Sequence, residues 1–403
     1  MSDERLDPGA LTDLSARMRA HVESGAVPGL AMLVAAGADV HVETVGRLAL
    51  DADVALEHDA IFRIASLTKP ITAAAAMLLV DDGVLALDEP VDSLLPELAD
   101  RRVLRSLDAA LDDTVPAHRA ITVDDLLTCR LGLGCIMAPP GTYPIQKAEE
   151  ELELRTFGPP WPPPSFSVDE WISRLGTLPL VHQPGEGWRY NTGIQVLGVL
   201  VERAAKMPFG DFLRRRLFQP LGMIDTTFVM DASRRGRFTT AYAPDPSSGV
   251  LSVLDPAHGS WWDDAVLANG AGWLLSTIDD FYAFVSMLVN GGAARGERVL
   301  SKAAVARMTM DHLHGSQHDD VRLFVGPGSS WGYGMAVPET GGHGGGIRGG
   351  YGWDGGMGTT WRTDPATGVT AMLFTQRAMT SPEPPATFTD FYDAVDTATR
   401  GAS

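Results

Sequence analysis

The sequence predicts an α+β protein in which a sheet built from both ends of the chain carries a mostly helical insertion. Short β-like runs stand near the start, at Gly29–Ala35 and Val40–Val45. They return near the end, at Gly332–Val337, Gly358–Arg362 and Val369–Thr375. Helical patterns dominate between about 66 and 220, and no internal repeat is present. The expected division is a discontinuous sheet domain, 1–65 with 266–403, and a helical domain, 66–265, with the site in the cleft between them.

In chain order, Asp7-Pro8 reads as an N-cap with proline at the first helical position, opening a helix to about Glu23. Gly37-Ala38-Asp39 separates the first two β-like runs as a hairpin turn. The segment Phe62–Pro70 then enters the apolar run Ile71–Val80, which Asp81-Asp82-Gly83 stops. Thr122-x-x-Asp125 and Ser167-x-x-Glu170 resemble capping boxes, and Gly193–Ala205 is amphipathic. The stretch Gly158–Pro164 is stiff and extended by composition, a pocket border or a plain surface crossover. Gly270–Thr277 leads into a helix to about Leu288 that Gly291-Gly292 ends. Further helices start near Ser301 and span about Ala386–Thr399.

Composition bounds the function. With 45% hydrophobic and 21% charged residues among 403, the chain has ample core. A net charge of −19 argues against a nucleic-acid or anionic-membrane surface. No basic segment followed by an apolar one opens the chain, and no window matches a membrane span, so a cytoplasmic location is expected. Two cysteines, Cys129 and Cys135, cannot build a disulfide framework.

Three stretches carry chemistry. The first is Ser66-Leu67-Thr68-Lys69. On a helix, residues three apart share a face, so a hydroxyl and an amine meet, and Ser66 at the first turn keeps its own N–H free. That supplies a nucleophile, its activator and half of an oxyanion hole. Of 32 basic residues only Lys69, Lys147, Lys206 and Lys302 are lysines. Arginine cannot release its proton in a protein and a desolvated lysine can, so Lys69 suggests an amine that cycles. The alternative is a chance Ser-x-x-Lys with a solvated amine. The second stretch, Pro184–Gly193, turns into a helix and can hold Tyr190 near a lysine, poised as a phenolate base. A tyrosine packed on the surface is the plain alternative. The third, Tyr351–Thr360, is so rich in glycine that backbone can approach a ligand closely, and the Gly356 N–H could complete the oxyanion hole. Taken alone, the stretch reads first as a simple glycine-rich turn before a strand.

Together and in this order, the three stretches resemble the serine β-lactamase and penicillin-binding-protein superfamily, most closely its family VIII carboxylesterases. Ser66-x-x-Lys69 matches outright. Pro184-Gly185-x-x-Trp188-x-Tyr190 with Val196-Leu197-Gly198 resembles the tyrosine motif of that esterase branch. Trp353-x-Gly355 stands where β-lactamases carry Lys-Thr-Gly, eleven residues before Asp364-Pro365. Leu126–Leu133 and Leu275–Asp280 support the match, which runs from about residue 15 to 395.

The resemblance implies a β-lactamase-like fold: an antiparallel sheet flanked by N- and C-terminal helices, with a helical inserted domain. It implies a cofactor-free serine hydrolase that cleaves carboxylic esters through a Ser66 acyl-enzyme, with Lys69 and Tyr190 sharing the proton. Gly356, Trp353, Gly355 and Thr192 are expected around the oxyanion and substrate. Two departures bear on the substrate. Thr192 stands where lactam-processing relatives have asparagine, with Asn191 one place early, and Trp353 replaces a cation. Both weaken lactam hydrolysis and leave ester hydrolysis intact. Acyl transfer or thioester cyclisation on the same acyl-enzyme, β-lactam or D-amino-acid peptide hydrolysis, and a non-catalytic binding module are the alternatives. The expected partner is a small-molecule ester or acyl substrate, with neither nucleic acid nor membrane. Its pocket is expected to draw on 136–165 and Trp261-Trp262.

Other patterns are weaker. Gly328-Ser329-Ser330-Trp331-Gly332 fits a nucleophile elbow by letters, but the following Tyr333–Val337 is strand-like where a helix is required. Gly344-x-Gly346-x-x-Gly349 matches a dinucleotide fingerprint without its flanking strand and helix. His312-x-His314 with His318-Asp319 hints at a metal, though a solvated loop is expected because no further ligands close the set. His343 sits in the glycine-rich loop near Trp353 and reads as a turn histidine.

Overall fold

A computed structural model describes residues 6–154, 166–258, 268–340 and 347–399. Helix α1 (Pro8–Glu23) opens the chain, with the Asp7 carboxylate accepting the Ala10 N–H at 2.7 Å. Strands β1 (Gly29–Ala36) and β2 (Asp39–Gly46) form a hairpin whose last pair is Ala36↔Asp39, with Gly37 in the left-handed region at φ 67°. A short strand β3 (Phe62–Arg63) precedes helix α2 (Thr68–Asp81). Between about 68 and 222 helices dominate, including α3 (Thr192–Ala205), with only the strand pair Arg102–Leu104 and Thr114–Pro116 among the described residues. Strand β4 (Leu275–Ser276) pairs with β3. Helix α4 (Gln317–Val325) then leads to strands β5 (Ser329–Trp331), β6 (Ala336–Pro338), β7 (Tyr351–Gly355), β8 (Thr359–Thr363) and β9 (Thr370–Thr375). Helix α5 (Ala386–Ala398) closes the described chain.

The main sheet is antiparallel, in the order β5-β6-β7-β8-β9-β1-β2. Beginning and end of the chain meet at its centre, where Leu30 pairs with Thr375 and Ala35 with Thr370. Strand β1 is buried at every position because both faces are covered, so it reads as one apolar run without alternation. Its odd residues Ala31 and Leu33 join the core that holds α2 and α3. Its even residues Leu30, Met32 and Val34 pack with Leu14 and Met18 of α1 and Phe388, Phe391 and Val395 of α5. Among the described residues no helix is long and apolar enough to cross a membrane.

The structure corrects four expectations. Ser66 lies in a 3-10 turn, Ala65–Leu67, rather than in the first turn of the α-helix, which begins at Thr68. Gly332–Val337 is a turn followed by a short strand, because Gly334 takes φ 72° where its backbone meets the Lys69 carbonyl. Tyr351–Gly355 is itself a strand, its glycines required where Gly352 abuts the Trp361 carbonyl and Gly355 the Ile64 carbonyl. The His318-Asp319 region expected as a loop is the start of α4, its polar first turn hiding the Val321, Phe324 and Val325 face.

Candidate functional site

The nucleophile turn is pinned from three sides. The Arg63 guanidinium, buried at the end of β3, donates through Nε to Asp255 and through Nη1 to the Thr239 carbonyl. The Ile64 N–H donates to the Leu274 carbonyl at 3.0 Å. Ala65 then takes φ 44°, a strained value for a residue with a Cβ, and Thr68 Oγ1 holds its carbonyl at 2.7 Å. The result is a sharp strand-to-helix bend with half-buried Ser66 at its tip.

Lys69 is fully buried, whereas Lys147, Lys206 and Lys302 are exposed. Its Nζ lies 2.8 Å from Ser66 Oγ and 2.7 Å from the Ala271 carbonyl. Burial without a carboxylate partner pulls its pKa down to about 7. The Cys129 thiol beside it is pushed up by burial to about 12 and stays neutral. The Ala271 carbonyl is a functional group that sequence reasoning missed. Asn269 Oδ1 accepts the Ala271 N–H at 2.9 Å, and the Gly270 carbonyl accepts Thr72 Oγ1 at 2.5 Å. Gly198 permits the approach, since a Cβ there would stand 3.1 Å from Gly270 Cα. The signal was present in Gly198 and Gly270-Ala271-Gly272, but only their packing against each other gives it meaning.

Tyr190 ends the loop before α3, where Asn191 is forced to φ 85°. Its hydroxyl donates to Ser66 Oγ at 2.9 Å and accepts the Trp353 indole N–H at 2.8 Å. Burial pushes the phenol well above its ordinary value, so the resting side chain is a protonated phenol and not the phenolate base expected from sequence. Lys69 Nζ stands 4.4 Å from the ring centroid. Trp188, Phe324, Trp331 and Trp353 surround the ring at centroid distances of 5.9, 5.1, 6.0 and 5.6 Å.

These contacts give the site a polarity. An indole N–H can only donate and a backbone carbonyl can only accept. The chain from Trp353 through Tyr190, Ser66 and Lys69 to Ala271 therefore has fixed ends. A neutral Lys69 that donates to Ala271 turns its lone pair to the Ser66 hydroxyl, while the Tyr190 proton points at the same oxygen from the other side.

Gly355 closes β7 against the nucleophile turn, where any Cβ would collide with the Ile64 carbonyl and Thr359 Oγ1. Gly356 follows as an exposed turn residue whose carbonyl accepts the Met379 N–H at 2.9 Å. Its N–H makes no hydrogen bond among the described residues. Trp353, expected to meet substrate, is buried and turned onto the phenol. Thr192 begins α3, and no described hydrogen bond joins its side chain to Ser66, Lys69 or the Tyr190 hydroxyl.

Ser330, the rival nucleophile, is fully buried in β5 and donates to Asp311 Oδ1. Asp311 also receives the Thr340 and Leu313 N–H groups and His318, which makes it a loop anchor. His312 stacks on Tyr333 at 4.2 Å, and among the described residues no three His, Cys, Asp or Glu side chains converge as metal ligands. Gly349 ends a single 3-10 turn rather than opening a helix. Gly158–Pro164, Trp261-Trp262, His343, Gly344 and Gly346 lie outside the described residues.

The family model described as Beta-lactamase matches residues 14–390. Protein Rv1367c of Mycobacterium tuberculosis is 36% identical over 84% of this chain and 82% of its own. Esterase EstB of Burkholderia gladioli is 30% identical over 94% of this chain and 95% of its own. Among solved structures, EstCE1, described as a hydrolase with promiscuous acyltransferase activity, superposes with a TM-score of 0.80 at 22% identity, over 96% of this chain and 98% of its own.

Proposed function

The chain belongs to the beta-lactamase family, an enzyme of its serine hydrolase and acyltransferase superfamily, and from that premise we propose that it hydrolyses carboxylic esters through an acyl-enzyme on Ser66. The observation that carries this reading is the double contact on Ser66 Oγ, with Lys69 Nζ at 2.8 Å and the Tyr190 hydroxyl at 2.9 Å. Neutral Lys69 takes the hydroxyl proton as Oγ attacks the ester carbonyl. The N–H groups of Ser66 and Gly356 hold the resulting oxyanion. As the tetrahedral intermediate collapses, Tyr190 gives its proton to the departing alkoxide and recovers one directly from the neighbouring Lys69 ammonium, since the acylated Oγ has no proton to relay. Water then attacks the acyl-enzyme with Lys69 as base, and the acid is released.

The esterase EstB supports the ester as substrate class. Trp353, directed at the phenol, supplies no cation for the carboxylate of a lactam or peptide substrate. A fluorophosphonate probe followed by intact-mass and peptide mapping tests the nucleophile: one adduct on Ser66 is expected, and labelling on Ser330 overturns the assignment. Acyl transfer is the second reading, favoured by the fold likeness to EstCE1. Ester product accumulating when an alcohol is added to the reaction would establish it.

A further inference from the structure

We infer that Phe324 on α4 forms the wall against which the alcohol part of the substrate packs, and that the enzyme favours esters of apolar, ring-bearing alcohols. The inference rests on the proposed ester chemistry. When the tetrahedral intermediate breaks, the bond between carbonyl carbon and alkoxy oxygen opens and that oxygen takes the Tyr190 proton. The alkoxy oxygen must therefore come within hydrogen-bond reach of the Tyr190 hydroxyl. The carbon skeleton behind it then runs alongside the phenol ring, and whatever side chain flanks that ring with surface to spare meets the alcohol.

Among the described residues four aromatic rings flank Tyr190, and three have no surface to offer. Trp188, Trp331 and Trp353 are 1%, 0% and 5% exposed, packed edge-on against each other, with Trp331 and Trp353 at 4.7 Å and 89°. Phe324 is the half-buried one, its ring 5.1 Å from the phenol and tilted 34° to it. The adjoining Val325 is half-buried as well. The wall is held at a fixed distance from the chemistry because α4 is fastened to the tyrosine loop itself. Gln317 Nε2 donates to the Gly185 carbonyl at 2.6 Å, and Asp320 Oδ2 accepts the Trp188 N–H at 3.2 Å. An aromatic or branched alcohol would stack on this ring, whereas a two-carbon alcohol is too short to use it.

The test compares benzyl acetate with ethyl acetate, whose acyl groups are identical and whose alcohols are similarly acidic, on the wild-type chain, Phe324→Ala and Phe324→Leu. Because kcat/KM reads acylation alone, the shared acetyl-enzyme drops out. For Phe324→Ala the benzyl value is expected to fall roughly three- to tenfold, the range of one aromatic contact. The ethyl value should fall by less, because truncation costs that ester only the packing of residue 324 on Tyr190, which both esters share. Phe324→Leu should lie between, keeping apolar area without a ring. An equal fall for both esters would make Phe324 a mere brace for Tyr190 and overturn the inference, as would an unchanged benzyl value. Fluorophosphonate labelling of Ser66 separates the two levels. A chain that neither takes the probe nor cleaves either ester refutes the ester chemistry itself. A labelled, active chain indifferent to residue 324 refutes only the wall.

Discussion

Replacing Lys69 with methionine, which fills a similar volume without an ionisable group, should change how stability depends on pH. In the folded protein the amine titrates near 7, against an ordinary value of 10.5. Between those two values the unfolded chain holds a proton that the folded chain has released, so protonation favours unfolding. Stability from this group is therefore lowest below pH 7 and recovers as pH rises toward 10.5. At about 1.4 kcal/mol per pH unit, the penalty is about 4 kcal/mol at pH 7 and about 2 kcal/mol at pH 9. Lys69→Met removes it at both. It also leaves the Ala271 carbonyl without its donor, at about 1–3 kcal/mol, but that loss is the same at either pH. Urea unfolding followed by tryptophan fluorescence should show the advantage of the variant over wild type shrinking by about 2 kcal/mol from pH 7 to pH 9. Parallel behaviour of the two proteins across that window would mean the folded amine is not depressed, and the argument for Lys69 as a neutral base would fail with it.

Ser66→Ala should abolish turnover of a short p-nitrophenyl ester, whereas Ser330→Ala should keep it while losing about 1–3 kcal/mol of stability with its hydrogen bond to the Asp311 carboxylate, which retains its other donors. The kcat/KM of wild type should rise about tenfold per pH unit below about 7 and flatten above, as Lys69 gives up its proton. Lys69→Arg should be nearly as inactive as Lys69→Ala at every pH, because a guanidinium offers no labile proton. Gly355→Ala should cost at least a hundredfold in kcat, on the order of what one oxyanion donor contributes, since its Cβ displaces Ile64 and the turn carrying Ser66. Wild-type rates in that variant would show the β7 edge to be remote from the chemistry.

Much of this was legible in the chain. Asp7-Pro8 fixed the first helix start, and Thr122 with Asp125 forms the capping box its spacing announced. Ser66, Lys69 and Tyr190 could be named because helix geometry, lysine scarcity and motif order converge on them, and the structure brings the three together. What stayed hidden depends on partners distant in sequence. Glycines normally break strands, so β7 looked like a turn until Trp361 and Ile64 supplied the backbones its glycines must clear. The Ala271 carbonyl carries no side-chain signature at all. Helix α4 begins with Gln317-His318-Asp319-Asp320, a polar run whose two jobs, clamping Gly185 and accepting Trp188, appear only in three dimensions. The phenol's protonation state is likewise a property of its burial, which no motif records.

The pairing of Leu30 with Thr375 has a consequence for how the enzyme comes into being. A nascent polypeptide halted on the ribosome before its final strand would already own the hydroxyl and the amine, yet its first hairpin would lack the neighbour that completes the platform beneath them. The sheet beside the site thus stays incomplete until Thr370–Thr375 has been made and has paired with the first hairpin.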